Sequence, residues 1–550
     1  MRWHKRLLAA GAVAALTLTA TACGGGKIRG GADGSEGSTQ PGTSQNAQNP
    51  SSAADATFVY VPNLDVVTDW DPASSYSNEI LAMQNIYESL TRYNPQTKQA
   101  EPRLATSWTS SDDGKKWTFT LRQGATFHTG KPVDAAAAKA AIERTMKMGA
   151  GAAYIWDAVK KIEAKDSSTL KFTLKYPTAL DLVASAGYAS YVYDTTAAGS
   201  GDLKTWFGEG HDAGSGPYTI DTWEKGKETE LTLKAFDDYW GGWDGPRYKK
   251  IAYRVTPELT TAWQLLRGGE VTFVARLNPQ LFAEAGGTPT VQAAQTPSFQ
   301  NLLTLFNTHS GPLKDVRLRQ ALQKAIDYDG VVAVLKGAGA PAAGLVPEGL
   351  LGHNAGQTPR QDLAGAEALL KEAGYGPGGK KLELTLTYAQ GDSDQEVLVT
   401  LLSSTLDKLN VKLSAKPLQW TTQWDQAKAK DPAKRQDILV MYWWPDYADA
   451  FSWFVNIFRS EDPISFNLSY LRDDAIDKRI NELPQLTATD RDAAEKAYAE
   501  LQNKIINERA AVAVPYVMNY QRAFAKSVQG YVDNPAYPNV VFVHDLKPGA

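Results

Sequence analysis

The residue types best suited to chemistry lie in one aromatic segment, Met441–Trp453. Asp446 and Asp449 stand three residues apart within it. Two carboxylates could in principle serve a glycosidase, although paired aspartates are common in proteins. The structural alternative is that the aromatic residues belong to the core and that Asp446 ends a strand by capping the next helix. The segment is therefore a candidate site, and the rest of the chain must decide between a functional role and a place in the core.

Other catalytic patterns are missing from the sequence. No G-x-S-x-G elbow, P-loop, H-E-x-x-H motif or G-x-G-x-x-G strand-to-helix turn occurs. The glycine-rich run Gly374–Gly379 follows a helical pattern and precedes a strand pattern, so we interpret it as a loop and not as a phosphate cradle. We therefore expect no enzyme activity and no cofactor. We also expect no metal site, since the histidines are scattered without the spacing of metal ligands. They are His4, His128, His211, His309, His353 and His544.

The beginning of the chain has the pattern of an export signal. Met1–Arg6 carries three Lys or Arg residues and is followed by the uncharged run Leu7–Ala22. Cys23, the single cysteine, directly follows Ala20, Thr21 and Ala22, and this arrangement resembles a bacterial lipobox, with Ala20 where leucine is usual. The alternative is ordinary cleavage after an A-x-A-like site that leaves Cys23 unmodified. We expect residues 1–22 to be a lipoprotein signal peptide and Cys23 to be the lipidation site.

Composition predicts how the remaining chain is organised. Residues 23–56 contain almost no large apolar side chains, so we expect a flexible tether that spans on the order of 30 Å. The body of about 500 residues is too long for one growing core, which predicts at least two lobes. A net charge of -4 without basic runs after the leader argues against a nucleic-acid partner.

Strand and helix patterns alternate through the body. Period-two alternation predicts strands at Trp117–Leu121, Leu170–Leu174 and Leu382–Leu386. Helices are predicted after Asp362 and Asp394 as N-caps, and a third runs through residues 498–505. Such mixing in both halves of the body predicts an α/β fold.

Three long motifs follow one another in the first half of the body, Glu101–Trp108, Ser111–Arg122 and Gly124–Val133. Together they closely resemble the signature of the dipeptide and oligopeptide solute-binding family, family 5, of bacterial ABC importers. Further landmarks follow in the family's order. They are Asp71-Pro72, Ile86–Tyr93, Gly214–Tyr218, Asp238–Trp240, Pro312–Leu322, Ala325–Asp327 and Leu370–Tyr375. The resemblance extends from Phe58 to the C-terminus.

The resemblance implies a two-lobed periplasmic-binding-protein-like fold of type II, cluster C, with an extra subdomain inserted in the first lobe. Lobe I would then comprise residues 57–300 plus 510–550, with the insertion at about 78–200, and lobe II would comprise residues 301–509. A chain that crosses twice between lobes forms a hinge that can bend without separating them.

The resemblance also implies a ligand site. Trp443 and Asp446 match the family's Trp-x-x-Asp pattern, in which the Asp of peptide binders receives the ligand's α-ammonium group. A charge-assisted hydrogen bond of this kind contributes roughly 1.5–3 kcal/mol and an aromatic face on the order of 1 kcal/mol. Trp420 lies where pocket aromatics are often found, and Asn307 lies at the expected crossing between lobes.

The implied function is an extracytoplasmic receptor, held at the cell membrane by its lipid anchor, that delivers peptides or peptide-like solutes to ABC permease subunits. We expect a monomer. Branches of the family bind oligosaccharides or metal chelates instead, and a sensing lipoprotein that keeps the fold without transport is a further alternative.

Overall fold

The computed structural model describes residues 56–62, 66–67, 69–354 and 358–549. The predicted signal peptide, the lipidation site Cys23 and the tether up to residue 55 lie outside these described residues. No helix within the described ranges is long and apolar enough to cross a bilayer.

Strands and helices alternate through the described residues, as the sequence predicts. The strands are β1 (Thr57–Val61), β2 (Thr91–Asn94), β3 (Gln99–Pro102), β4 (Ala105–Ser110), β5 (Lys116–Leu121), β6 (Val159–Ala164), β7 (Thr169–Leu174), β8 (Tyr218–Trp223), β9 (Thr229–Ala235), β10 (Lys250–Arg254), β11 (Phe273–Val274), β12 (Val291–Phe306), β13 (Gly339–Ala340), β14 (Leu382–Ala389), β15 (Val411–Leu418), β16 (Ile438–Trp443), β17 (Val512–Ala525), β18 (Val528–Gln529) and β19 (Lys547–Pro548).

In the described ranges the α-helices are mostly short, and four 3₁₀ segments and one π-helical turn accompany them. The helices are α1 (Ile80–Ile86), α2 (Ala135–Met148), α3 (Leu180–Val183), α4 (Leu203–Gly208), α5 (Leu259–Arg267), α6 (Pro279–Gly286), α7 (Val316–Ala325), α8 (Tyr328–Leu335), α9 (Leu363–Glu372), α10 (Ser393–Lys408), α11 (Trp420–Ala427), α12 (Phe451–Ile457), α13 (Asp474–Thr489) and α14 (Arg491–Gln502). The 3₁₀ segments are Ala153–Trp156, Pro312–Lys314, Pro432–Lys434 and Val543–Asp545, and the π-helical turn is Asn503–Glu508.

One large mixed sheet runs through the molecule in the order β15-β14-β16-β12-β17-β11-β1-β10-β9-β8, with β13 also paired to β17. The pairs of β1 with β10 and β11, and of β14 with β15 and β16, are parallel, whereas β12 is antiparallel to both β16 and β17. A separate four-stranded antiparallel sheet has the order β4-β5-β7-β6. The strands predicted from alternation at residues 117–121, 170–174 and 382–386 are thus confirmed.

The two longest strands connect the two parts of the large sheet. β12 and β17 pair from Val291↔Ala525 to Leu305↔Val512, and their register shifts between Pro297 and Asn301. One end of β17 pairs with β11, and the far end of β12 pairs with β16. The register break therefore lies where the strands pass from one set of neighbours to the other.

Strand β16 places alternate side chains in two different hydrophobic cores. Ile438 and Val440 pack in a core with residues of α7, α10 and β14. Leu439, Met441 and Trp443 pack in a larger core with residues of α1 and α12. Because successive side chains of a strand point to opposite faces, this alternation sends Trp443 toward the second of these cores.

Of the two N-cap residues predicted from the sequence, one is confirmed and the other is wrong. The carboxyl of Asp362 accepts a hydrogen bond from Gly365 N–H at the start of α9, as predicted. The prediction that Asp394 caps the next helix is wrong, because α10 begins at Ser393 and its N-cap is Asp392. Asp392 Oδ1 accepts the N–H groups of Asp394 and Gln395 at 3.1 and 3.0 Å, so Asp394 occupies the first turn instead.

Candidate functional site

The site begins where strand β16 ends. β16 lies between β12 and β14, and after its last residue, Trp443, the chain turns so that Asp446 is only 1% exposed. The Asp446 main-chain carbonyl accepts a hydrogen bond from Gly187 N–H at 2.7 Å. A buried strand end thus holds Asp446 against a segment that is distant in sequence.

Neutral donors surround the Asp446 carboxyl group. The Tyr154 hydroxyl donates to Oδ2, and Asn456 Nδ2 donates to the same oxygen at 3.4 Å. The Tyr76 hydroxyl makes a further hydrogen bond to this carboxyl. Among the residues that the structure describes, no basic side chain forms an ion pair with it.

Burial raises the pKa of the Asp446 carboxyl to about 6, and the hydrogen bonds from Tyr154, Tyr76 and Asn456 counter this rise only in part. Above that pH the group carries a negative charge compensated by hydroxyl and amide dipoles alone. A buried carboxylate in such surroundings is strongly stabilised by a cation, because no other charge offsets its lost hydration.

Aromatic rings form a cluster beside this carboxylate. The Phe466 ring centroid lies 5.3 Å from Tyr76, 4.9 Å from Trp424 and 5.3 Å from Trp443. Trp420 joins through Trp424, with the two centroids 5.1 Å apart. We call these five residues, Tyr76, Trp420, Trp424, Trp443 and Phe466, the aromatic cluster. Tyr76 belongs both to this cluster and to the hydrogen-bonding shell of the carboxylate.

The two tryptophans singled out from the sequence differ in exposure. Trp443 is buried, and its Nε1 donates to Ser452 Oγ at 3.3 Å. Trp420 is 46% exposed. Trp443 is therefore suited to hold the cluster in place, and Trp420 offers a ring face at its edge.

Asn307 lies at the opposite end of β16 from Asp446. Its N–H donates to the carbonyl of Asp437, the residue before β16 begins. Its amide Nδ2 donates to Ser310 Oγ at 2.9 Å and to the Gln436 carbonyl at 3.2 Å. The structure brings Trp420, Trp443 and Asp446 together, whereas the Asn307 amide donates to Ser310 and to Gln436, just before β16 begins.

Comparison with known proteins now identifies the family. The model of the bacterial extracellular solute-binding proteins, family 5 (middle), matches residues 99–464, well over half of the chain. The chain belongs to this family. It is therefore a solute-binding protein, and members of this class are receptors and not enzymes.

Relatives and solved structures resemble this solute-binding protein over most of its length. The probable D,D-dipeptide-binding periplasmic protein DdpA of Escherichia coli (strain K12) is 29% identical over 488 residues, which cover 87% of this chain and 92% of the relative. The glutathione-binding protein GsiB of Salmonella typhimurium is 26% identical over 440 residues, covering 78% and 82%.

The structure of the Escherichia coli murein tripeptide binding protein MppA matches with a TM-score of 0.78 at 22% identity and covers 90% of this chain and 98% of its own. That of the Helicobacter pylori periplasmic binding protein DppA in complex with the peptide STSA has a TM-score of 0.77 at 22% identity, covering 90% and 98%. These matches establish the fold. The predicted two-lobed α/β fold with an inserted subdomain is confirmed.

The second acidic residue of the aromatic segment has a structural role in this solute-binding protein. Asp449 Oδ1 accepts the Phe451 N–H at 2.7 Å at the start of α12 and the Tyr498 hydroxyl at 3.0 Å. The helix-start interaction considered for Asp446 therefore belongs to Asp449. Within the described part of the chain, no group of three or more potential metal ligands is found.

Sequence reasoning missed most of the shell around Asp446. Tyr154 lies in a 3₁₀ segment and Tyr76 in a loop, and neither has a local pattern that links it to a residue so far away in sequence. Trp424 could have been found, because it stands one helical turn after Trp420 in α11 and so shares its face.

A small cavity elsewhere does not overlap this site. It has a volume of about 40 Å³ and lies between α1 and the C-terminal segment, lined by residues that include Glu88, Arg92 and His544. That volume suits a few water molecules and not a peptide, so the cavity gives no competing ligand site.

Proposed function

We propose that this protein is the extracytoplasmic receptor of an ABC importer and that it captures peptides or peptide-like solutes. Family membership supports the receptor role. The observation that carries the peptide assignment is Asp446, a buried carboxylate with three neutral donors and no cationic partner among the described residues. The names of the relatives DdpA and GsiB point to small peptides as well.

In this proposal, Asp446 receives the solute's ammonium group. The hydroxyls of Tyr76 and Tyr154 and the amide of Asn456 hold the carboxylate in place. A charge-assisted hydrogen bond from an ammonium group supplies the positive charge that this shell lacks, and it contributes about 1.5–3 kcal/mol.

The aromatic cluster would contact the solute beyond its ammonium group. Exposed Trp420 and partly buried Trp424 present ring faces, and Phe466 packs between Trp424 and Trp443. Rings accept side chains of many shapes, which suits a receptor that binds peptides largely by their shared ends.

We further propose that residues 57–300 plus 510–550 form lobe I and that residues 301–509 form lobe II, with the solute between them. The register break between Pro297 and Asn301, where β12 leaves one set of neighbouring strands for the other, supports a hinge at this boundary. Asp446 is then a residue of lobe II that contacts Tyr154 and Gly187 of lobe I, so site formation and lobe closure are linked.

Membrane attachment would come from a diacylglycerol on Cys23, after removal of residues 1–22 as a signal peptide. The lone cysteine directly after three small residues supports this assignment. The mature monomer, tethered by residues 23–56 on the outer face of the cell membrane, would deliver its solute to the permease subunits of the importer.

Titration with tripeptides tests this function. Ala-Ala-Ala should bind, decrease the radius of gyration in solution scattering and, at about 100 times its dissociation constant, stabilise the native state by roughly 2.7 kcal/mol. N-acetylated Ala-Ala-Ala should bind at least tenfold more weakly. Equal binding of the acetylated peptide, or binding of cellotriose in preference to both, would argue against a peptide receptor.

A further inference from the structure

A loop of proposed lobe II carries the central ring of the aromatic cluster. Phe466 lies in the irregular segment between α12 and α13. Its ring centroid lies 4.9 Å from that of Trp424 and 5.3 Å from that of Trp443, both in the same proposed lobe. It also lies 5.3 Å from the ring centroid of Tyr76, which belongs to proposed lobe I. Aromatic contacts from the two proposed lobes therefore meet at Phe466.

The carboxylate of Glu461 organises this loop. Its Oε2 accepts the N–H groups of Ser465, Phe466 and Asn467 at 2.8, 3.0 and 3.2 Å. Successive main-chain N–H groups that converge on one oxygen form an anion-binding turn, and hydrogen bonds to a charged acceptor are about twice as strong as those between neutral groups. Phe466 is the middle residue of the three, so the carboxylate fixes the main chain on both sides of its ring. We call residues 461–467 the Glu461 loop.

The two ends of the Glu461 loop are held by other hydrogen bonds. Asn467 Nδ2 donates to the carbonyls of Arg459 and Leu471 at 3.0 and 2.8 Å. The guanidinium group of Arg472 donates to the main-chain carbonyl of Glu461 at 3.4 Å. Loss of the carboxylate therefore leaves these ends in place and removes the hydrogen-bond partner of the turn that carries the aromatic ring.

The Phe466 ring in turn packs against a residue that bonds to Asp446. The Tyr76 ring centroid lies 5.0 Å from that of Tyr188, in the same proposed lobe, and 5.3 Å from that of Phe466 in the other. The Tyr76 hydroxyl makes a hydrogen bond to the Asp446 carboxyl. The orientation of this hydroxyl therefore depends in part on a ring that the opposite lobe supplies.

We propose that Glu461 is a positioning residue of the solute site, which sets solute affinity by holding the Phe466 ring against Tyr76. This inference rests on the proposed function and adds to it a residue that acts through another side chain. The three N–H groups of the loop occupy its carboxylate, and Phe466 transmits its effect to the residues around Asp446.

Two other roles for Glu461 make different predictions. If its negative charge attracted the solute's ammonium group through space, a neutral glutamine would lose as much affinity as an alanine. If the carboxylate only stabilised its own loop, its loss would change the mobility of the loop and leave solute affinity unchanged. Positioning of Phe466 instead requires that the effect of Glu461 on affinity disappear once the Phe466 ring is removed.

Calorimetric titration of the full-length chain with Ala-Ala-Ala tests this inference. Phe466→Ala should lower the affinity about tenfold, because it removes the ring at which the aromatic contacts meet. Glu461→Ala should lower it about three- to tenfold, whereas Glu461→Gln keeps an oxygen acceptor and should recover most of the wild-type affinity. The double variant Glu461→Ala/Phe466→Ala should bind as Phe466→Ala does. The control Glu495→Ala removes an exposed acid on α14 and should leave the affinity unchanged.

Hydrogen exchange of the Ser465, Phe466 and Asn467 amides measures the state of the loop without solute. These amides should exchange faster in Glu461→Ala than in the wild type, and unchanged exchange would overturn the inference. Wild-type affinity in Glu461→Ala, equal losses in Glu461→Ala and Glu461→Gln, or losses that multiply in the double variant would also overturn it and leave the receptor function intact. If the wild type does not bind Ala-Ala-Ala, the proposed function fails and this inference fails with it.

Discussion

Replacing Asp446 with asparagine should weaken solute binding and, at the same time, stabilise the solute-free protein. The change keeps the size of the side chain and its ability to accept the Tyr154 hydroxyl, and removes only the negative charge. Losing a charge-assisted hydrogen bond of about 1.5–3 kcal/mol lowers the affinity for Ala-Ala-Ala about 10- to 100-fold. The exposed residue Asp425 on α11 provides a matched control, and Asp425→Asn should leave affinity unchanged.

The gain in stability follows from the raised pKa of Asp446. Because that pKa is about 6 in the folded protein and about 3.9 in an unfolded chain, folding favours the neutral carboxyl. This contribution to stability is fully present below the unfolded pKa and is lost as the pH rises through about 6. Two pKa units correspond to roughly 3 kcal/mol, so Asp446→Asn should be up to about 3 kcal/mol more stable than the wild type at pH 7.5.

Acid should reproduce the binding defect without a mutation. Below about pH 6 the Asp446 carboxyl takes up a proton before it can accept a solute ammonium group, so the affinity for Ala-Ala-Ala should fall about tenfold per pH unit. Asp446→Asn should lack this dependence. Calorimetric titration between pH 4.5 and 7.5, with urea unfolding at the same pH values, measures both effects.

Two results would contradict these expectations. Unchanged affinity in Asp446→Asn would show that the carboxylate does not hold the solute. A lower unfolding midpoint for Asp446→Asn at pH 7.5 would show that the charge of the carboxylate is well compensated in the solute-free protein.

Three further perturbations test the hinge, the core and the anchor. Arg276 forms an ion pair with Asp394 at 2.6 Å across the proposed lobe boundary. Arg276→Ala should therefore enlarge the radius of gyration of the solute-free protein and lower its peptide affinity about tenfold. An unchanged radius of gyration would contradict closure through this contact. His128 and Asp212 form a buried ion pair. His128→Leu should lower the free energy of unfolding by about 3–5 kcal/mol, because it leaves the buried Asp212 carboxylate unpaired. A decrease of less than about 1 kcal/mol would contradict a stabilising role for this pair. Cys23→Ala should release the protein from membranes or block its processing, and an unmodified Cys23 in freely secreted wild-type protein would count against the anchor.

Local patterns predicted the elements of this fold well because each depends on neighbouring residues. The alternation at residues 382–386 produced strand β14, and Asp362 capped α9 as expected. The cap at α10 was misplaced because Asp392 and Asp394 are both acceptable N-cap residues two positions apart. Sequence preference could not choose between them, and Asp394 instead forms the ion pair with Arg276.

Only part of the candidate site could be predicted from the sequence, because local patterns reflect only residues that are neighbours in the chain. Trp443 and Asp446 lie three residues apart at one strand end, so their proximity was visible in the sequence. Tyr76, in a loop, and Tyr154, in a 3₁₀ segment, reach the same carboxylate although they come several hundred residues earlier in the chain. Such contacts depend on how the chain folds back on itself, and no local pattern records them.

Native mass spectrometry tests the peptide-receptor function most directly, because it identifies the solute that stays bound when the full-length protein is gently isolated from the cells that produce it. The wild-type protein should be found as a 1:1 complex with a short peptide or peptide-like solute that carries a free ammonium group, and Asp446→Asn should lose that solute. A retained solute without a cationic group, such as a neutral oligosaccharide, would contradict it.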